Sequence, residues 1–90
     1  MRTIILDGGN IGSIDQLHAV LKEGLDLPDH YGGNLDALWD SLTGWVDMPL
    51  TVRWVRFKES EKKLGEYSHS LLELFRDAEE ELEGFRLELE

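Results

Sequence analysis

Two carboxylates, Asp36 and Asp40, lie four residues apart within the segment LPDHYGGNLDALWDSLTGWVD that runs from Leu27 to Asp47. In a helix of about 100° per residue they would sit about 40° apart around the axis and one turn apart along it. Neither has a basic residue four positions away to offset the other. Like charges at that spacing cost a few tenths of a kcal/mol in a lone helix. Asp36 regains part of this near the positive end of the helix dipole, and Asp40 does not. A local cost with no local compensation points to function. Two chemistries are open to such a pair. With one or two further carboxylates it could hold Mg²⁺, as in metal-dependent hydrolases. Alternatively, it could meet the cations of another molecule. The surroundings favour the second. Gly32 and Gly33 allow close backbone approach or a positive φ. His30, Tyr31, Trp39 and Trp45 bracket the acids with the aromatic area that dominates interface hot spots, and Asp47 follows in a second loop.

The chain carries no HExxH, Gly-rich phosphate loop or serine-nucleophile motif. His18 falls in the first predicted helix, His30 in a loop and His69 near the start of the last helix, so no metal-ligand spacing emerges. Cysteine is absent, which excludes disulfides and thiolate chemistry. The reading is a non-enzymatic protein that needs neither metal nor cofactor. Ninety residues make a single domain, 1–90, and 41% hydrophobic residues with three tryptophans make it a folded one. A net charge of −10, from 19 acidic against 9 basic residues, repels nucleic acid and anionic membranes and attracts a basic partner. Ile4-Ile5-Leu6 is too short for a signal peptide or a membrane span, so the expected location is the cytoplasm.

The elements that must position the acids follow from periodicity and breakers. Thr3 to Leu6 reads as a strand closed by the turn Asp7-Gly8-Gly9-Asn10. Ser13 and Gln16 form a capping-box pattern that starts a helix, with Ile14, Leu17 and Leu21 inward and Gly24 as its stop. Leu25 to Gly33 is loop. Asn34 caps a second helix whose stripe is Leu35, Leu38, Trp39 and Leu42, ending at Gly44. Pro49 leads into a strand, Leu50 to Val55, with Thr51 and Arg53 on its wet face. A short helix over Phe57 to Leu64, a longer one over about Tyr67 to Leu82, and an alternating strand from Phe85 to Glu90 complete the chain. Glu79, Glu80, Glu81 and Glu83 read as the solvated face of that last helix. The order β-α-α-β-α-α-β suits an α/β, two-layer domain. Its parallel three-stranded sheet, order 1-2-3, is joined by right-handed crossovers, with helices on one face.

The chain resembles the barstar family, intracellular inhibitors of the secreted bacterial ribonuclease barnase. The resemblance rests on Leu27, Pro28, Tyr31 and Gly32, on Asn34-Leu35-Asp36-Ala37-Leu38-Trp39-Asp40, on Leu42-Thr43-Gly44-Trp45-Val46 and on Pro49-Leu50. It continues through Ser13-Ile14, Leu17-His18, Trp54, Phe57 and Phe75-Arg76. It implies a domain that plugs the active site of a small basic, barnase-like ribonuclease with its second helix and adjoining loops, the carboxylates mimicking RNA phosphates. Asp40 would take the place of a substrate phosphate, Asp36 would pair with a basic group near the rim, and Asp77 would make a further ion pair. His30, Tyr31, Gly32, Asn34, Leu35, Trp39, Thr43, Gly44, Trp45, Val46 and Asp47 would complete the contact. The resemblance thus implies an antitoxin-like protein, monomeric alone and one-to-one with its target, touching neither nucleic acid nor membrane. Three departures stand out: His30 where the family pattern has a tyrosine, Gly33 where it has an acid, and Asp47 and Asp77 where it has longer glutamates. His30 and Gly33 also suit an alternative, a barstar-like interaction module with a regulatory partner other than a ribonuclease.

Overall fold

The computed structural model describes residues 2–90. In chain order the elements are β1 (Arg2–Asp7), α1 (Ile14–Gly24), α2 (Leu35–Gly44), β2 (Leu50–Val55), α3 (Phe57–Leu64), α4 (Glu66–Glu81) and β3 (Phe85–Leu89). The three strands form one parallel sheet in the order β1-β2-β3, with Ile4 beside Val52 and Val52 beside Leu87. This is the expected α/β architecture.

Alternation along each strand decides which face the helices cover. Ile4, Leu6, Leu50, Val52, Trp54, Phe85 and Leu87 are buried, and they meet Leu17 and Leu21 of α1, Leu38 and Leu42 of α2, and Leu71, Phe75 and Ala78 of α4. Thr3, Ile5 and Arg86 on the opposite face are exposed. Thr51, expected to be wet, is buried there. It is a short side chain on the central strand, flanked in register by Thr3 and Arg86, which shade it. Arg53 on the same face is held by Glu90 at 2.7 Å and Glu88 at 3.5 Å.

Side-chain caps set the helix starts. Ser13 Oγ accepts from the Gln16 N–H at 3.1 Å, and Gln16 Oε1 accepts from Gly12 N–H at 2.7 Å, one residue before the cap expected for a capping box. Ile14, expected inward, is exposed because it is the first helical residue, at the rim of the core. The chain turns after α1 at Asp26, in the left-handed region at φ 54°, rather than at Gly24. Gly65 at φ 59° closes α3 and opens α4, which starts one residue earlier than periodicity suggests. Glu79 is more than a solvated charge. Its carboxylate accepts from the Leu87 N–H at 2.9 Å, satisfying a donor of edge strand β3.

Candidate functional site

Helix α2 owes its rigidity to what surrounds its two acids. The Asn34 side-chain oxygen accepts from the Ala37 N–H at 2.8 Å, supplying one of the donors that a helix start leaves open. Leu38 and Leu42 are fully buried, pinning the inner side to the core, while Leu35 and Trp39 pack partly against it. Ser41 and Thr43 turn their hydroxyls back to the carbonyls of Ala37 and Trp39, at 2.8 and 2.9 Å. Asp36 and Asp40 are exposed on this anchored scaffold. Among the described residues neither carries an ion pair or a side-chain hydrogen bond.

The two carboxylates open onto different hollows. Asp40 lines a groove of about 360 Å³ with His30, Tyr31, Gly32, Gly44 and Trp45. Asp36 lies on the other flank, in a groove of about 290 Å³ between α2 and α4, with Leu35, Trp39 and Asp77. Glu73 and Glu81 line that second groove as well. The sequence reading missed both, although Glu73, Asp77 and Glu81 fall at i, i+4 and i+8, one stripe of a helix. Among the described residues, no lysine or arginine lines either groove. Val46 and Asp47 stand apart from both, on a third hollow with Arg2, Leu25 and Asp26, beyond Trp45. Asn34 is occupied as a cap, and Thr43 is exposed beside Asp40. Among the described residues, no three His, Cys, Asp or Glu side chains converge as metal ligands, and no helix is long and apolar enough to cross a membrane.

Two hydrogen bonds fix the loop walls. Trp45 is 56% exposed, yet its indole N–H donates to the Asp26 carbonyl at 3.1 Å, so the ring is oriented before any partner arrives. Gly33 takes φ 67°, while at Gly32 a side chain would press the Ala37 methyl at 3.3 Å. Tyr31 reaches inward, its hydroxyl 2.7 Å from His18 Nδ1, and Tyr67 of α4 lies 2.6 Å from Nε2 of the same ring. Burial lowers the His18 pKa from 6.5, with Asp15 opposing. Burial, and then the neighbouring Tyr67 charge, push the Tyr31 hydroxyl up to about 12. His18 and Tyr67 were not among the expected site residues. The available signal was His18 beside Leu17, three residues before Leu21, on the inward stripe of α1.

Residues 1–90 match the sequence profile of the family described as Barstar (barnase inhibitor). A protein of Bacillus subtilis (strain 168) named "Putative ribonuclease inhibitor YrdF" is 54% identical over 82 residues, which are 91% of this chain and 90% of that protein.

Proposed function

The chain belongs to the barstar family, and on that premise we propose that it inhibits a small basic ribonuclease by filling the nuclease's cationic cleft. The observation that carries this reading is the pair of grooves flanking α2, lined by Asp40 on one side and by Asp36, Glu73, Asp77 and Glu81 on the other, with no lysine or arginine among the described residues of either. Carboxylates held on a rigid helix offer anionic oxygens where RNA offers phosphates, and they need little ordering on binding. In this reading Asp40 enters deepest, flanked by His30, Tyr31 and Trp45, and Asp36 with Asp77 meets basic groups at the rim. The net charge of −10 speeds encounter with a basic partner over long range. The protein is then a binding partner and not a catalyst.

The test is RNA cleavage by a panel of small basic ribonucleases, barnase first, titrated with this protein. Stoichiometric inhibition whose association rate falls steeply with added salt is the expected result. A panel in which no nuclease is slowed would overturn the proposal and favour a regulatory partner of another kind.

A further inference from the structure

The part of the loop between α1 and α2 that follows the buried Leu25 and Leu27 carries much of the Asp40 groove, and its own attachment to the rest of the molecule is slender. No residue from Pro28 to Ala37 is fully buried. Tyr31 reaches furthest in, and its hydroxyl ends on a histidine that is only 5% exposed. That histidine is spanned on its other nitrogen by Tyr67, so one imidazole ties the loop to both α1 and α4. The rings also pack, with centroids 5.8 Å (His18 to Tyr31) and 5.9 Å (His18 to Tyr67) apart.

We propose that His18 is a positioning residue for the binding loop, a latch that holds Tyr31 in the groove wall when neutral and releases it when protonated. The neutral ring has one donor and one acceptor, so one tyrosine donates to it and the other accepts from it. A proton taken from solvent lands on the accepting nitrogen. The hydroxyl that donated there must rotate its hydrogen away and become an acceptor, and that hydrogen then needs an acceptor of its own. The ring then carries a charge in a buried place, which costs free energy unless it is solvated. The groups facing it are Asp15 on its own helix, Tyr31 from the loop and Tyr67 from α4. Of these only Asp15 offers a counter-charge, and it is exposed. Opening the loop is the shorter route to water, because no residue from Pro28 to Ala37 is fully buried, whereas α4 is anchored by the buried Ser68, Leu71, Phe75 and Ala78.

This rests on the inhibitor reading for its consequence, since a displaced Tyr31 deforms the groove beside Asp40. The latch itself is tested without a partner. Amide hydrogen exchange and the His18 ring resonances are followed by NMR as pH is lowered from about 8 to about 5, a range that spans the ordinary histidine pKa. The Tyr31 amide, which donates to the Pro28 carbonyl at 2.9 Å, is expected to open with the His18 titration, its protection factor falling by up to about tenfold per pH unit for one linked proton, while those of Val52 and Leu38 hold. His18→Gln should flatten this response, and His69→Gln, which removes an exposed histidine of α4 outside both grooves, should leave it in place. Core and loop amides opening together, a response that survives His18→Gln, or no response at all would each overturn the latch. If His18→Gln does not fold, the wild-type titration decides alone. Barnase or another inhibited nuclease should dissociate faster over the same range, with the same dependence on His18. A loop that opens as expected in a protein that slows no nuclease at any pH would leave the latch standing and remove the inhibitor reading.

Discussion

Replacing Asp40 by asparagine separates the cost of the acid in the free protein from its use in a complex. In the free protein the carboxylate is exposed and, among the described residues, bonded to nothing. Its charge there does little except repel Asp36 one turn away, worth a few tenths of a kcal/mol. Asp40→Asn is therefore expected to leave free-protein stability unchanged or to raise it by about 0.3 kcal/mol. In the complex the same group would be desolvated against basic residues of the nuclease. Truncating one partner of such a pair leaves the other buried and uncompensated, a loss on the order of 2–5 kcal/mol or more, or about 30-fold to several thousand-fold in affinity. That range draws on complexes that include a barstar-family pair, so its size is borrowed, and the structure supplies its sign and its asymmetry. Urea unfolding reads the first quantity and titration calorimetry the second. Glu80→Gln, on the exposed side of α4 and outside both grooves, is the reference. The reasoning is refuted if Asp40→Asn destabilises the free protein by more than about 1 kcal/mol, a size expected of a lost internal hydrogen bond, or if Glu80→Gln weakens the complex as much.

Other expectations concern the frame. Ser60→Ala removes the acceptor of the buried Trp54 indole N–H, 2.9 Å away, and should cost about 1–3 kcal/mol, read as a lower melting temperature by calorimetry. At Gly8 an added methyl would lie 2.2 Å from the Arg56 carbonyl, so Gly8→Ala should destabilise by at least about 1–3 kcal/mol in the same measurement, because backbone must move. Burial sets the folded pKa of His18 below 6.5, so between the two values the unfolded chain holds more protons. Its contribution to stability is full above pH 6.5 and lost as pH falls through the folded value, so urea midpoints should drop on acidification in the wild type and less in His18→Gln.

The sequence made the strands and helices legible because each local signal agreed with the final packing. Leu50, Val52 and Trp54 alternate with Thr51 and Arg53, and the strand they predict is β2 with the expected inner face. Asn34 and Ser13 are caps by residue type and by observed hydrogen bond. What stayed hidden depends on distance in space. Thr51 is shaded by neighbours on other strands, and Glu79 reaches a strand that follows it in the chain. Around the site, Asp36 and Asp40 were legible as a pair, yet helix geometry alone could not reveal that α4 claims one flank and the loop the other. The acids of α4 were readable as a stripe only once Asp77 was joined to Glu73 and Glu81. The His18 bridge needed three elements brought together, residues 18, 31 and 67, and no spacing rule reaches that far.

Under the proposed function, the division of cations would set these acids apart from the rest of the 19. Asp7, Glu59, Glu79, Glu88 and Glu90 each have an arginine or lysine of this chain within 4.0 Å. Other acids, such as Glu66 and Glu83, are solvated singly and exposed, so lack of a partner does not by itself mark a site. The α2 and α4 acids differ in being gathered around grooves with apolar walls, including Leu35, Trp39 and Leu74. Such walls lower the local dielectric and focus the field outward, so a cation entering the groove meets several carboxylates at once. The local repulsion among Glu73, Asp77 and Glu81, a few tenths of a kcal/mol per adjacent pair, is the standing cost of that field. In the proposed complex a basic partner would relieve the repulsion on docking. The same arrangement that slightly weakens the free protein would therefore strengthen that complex.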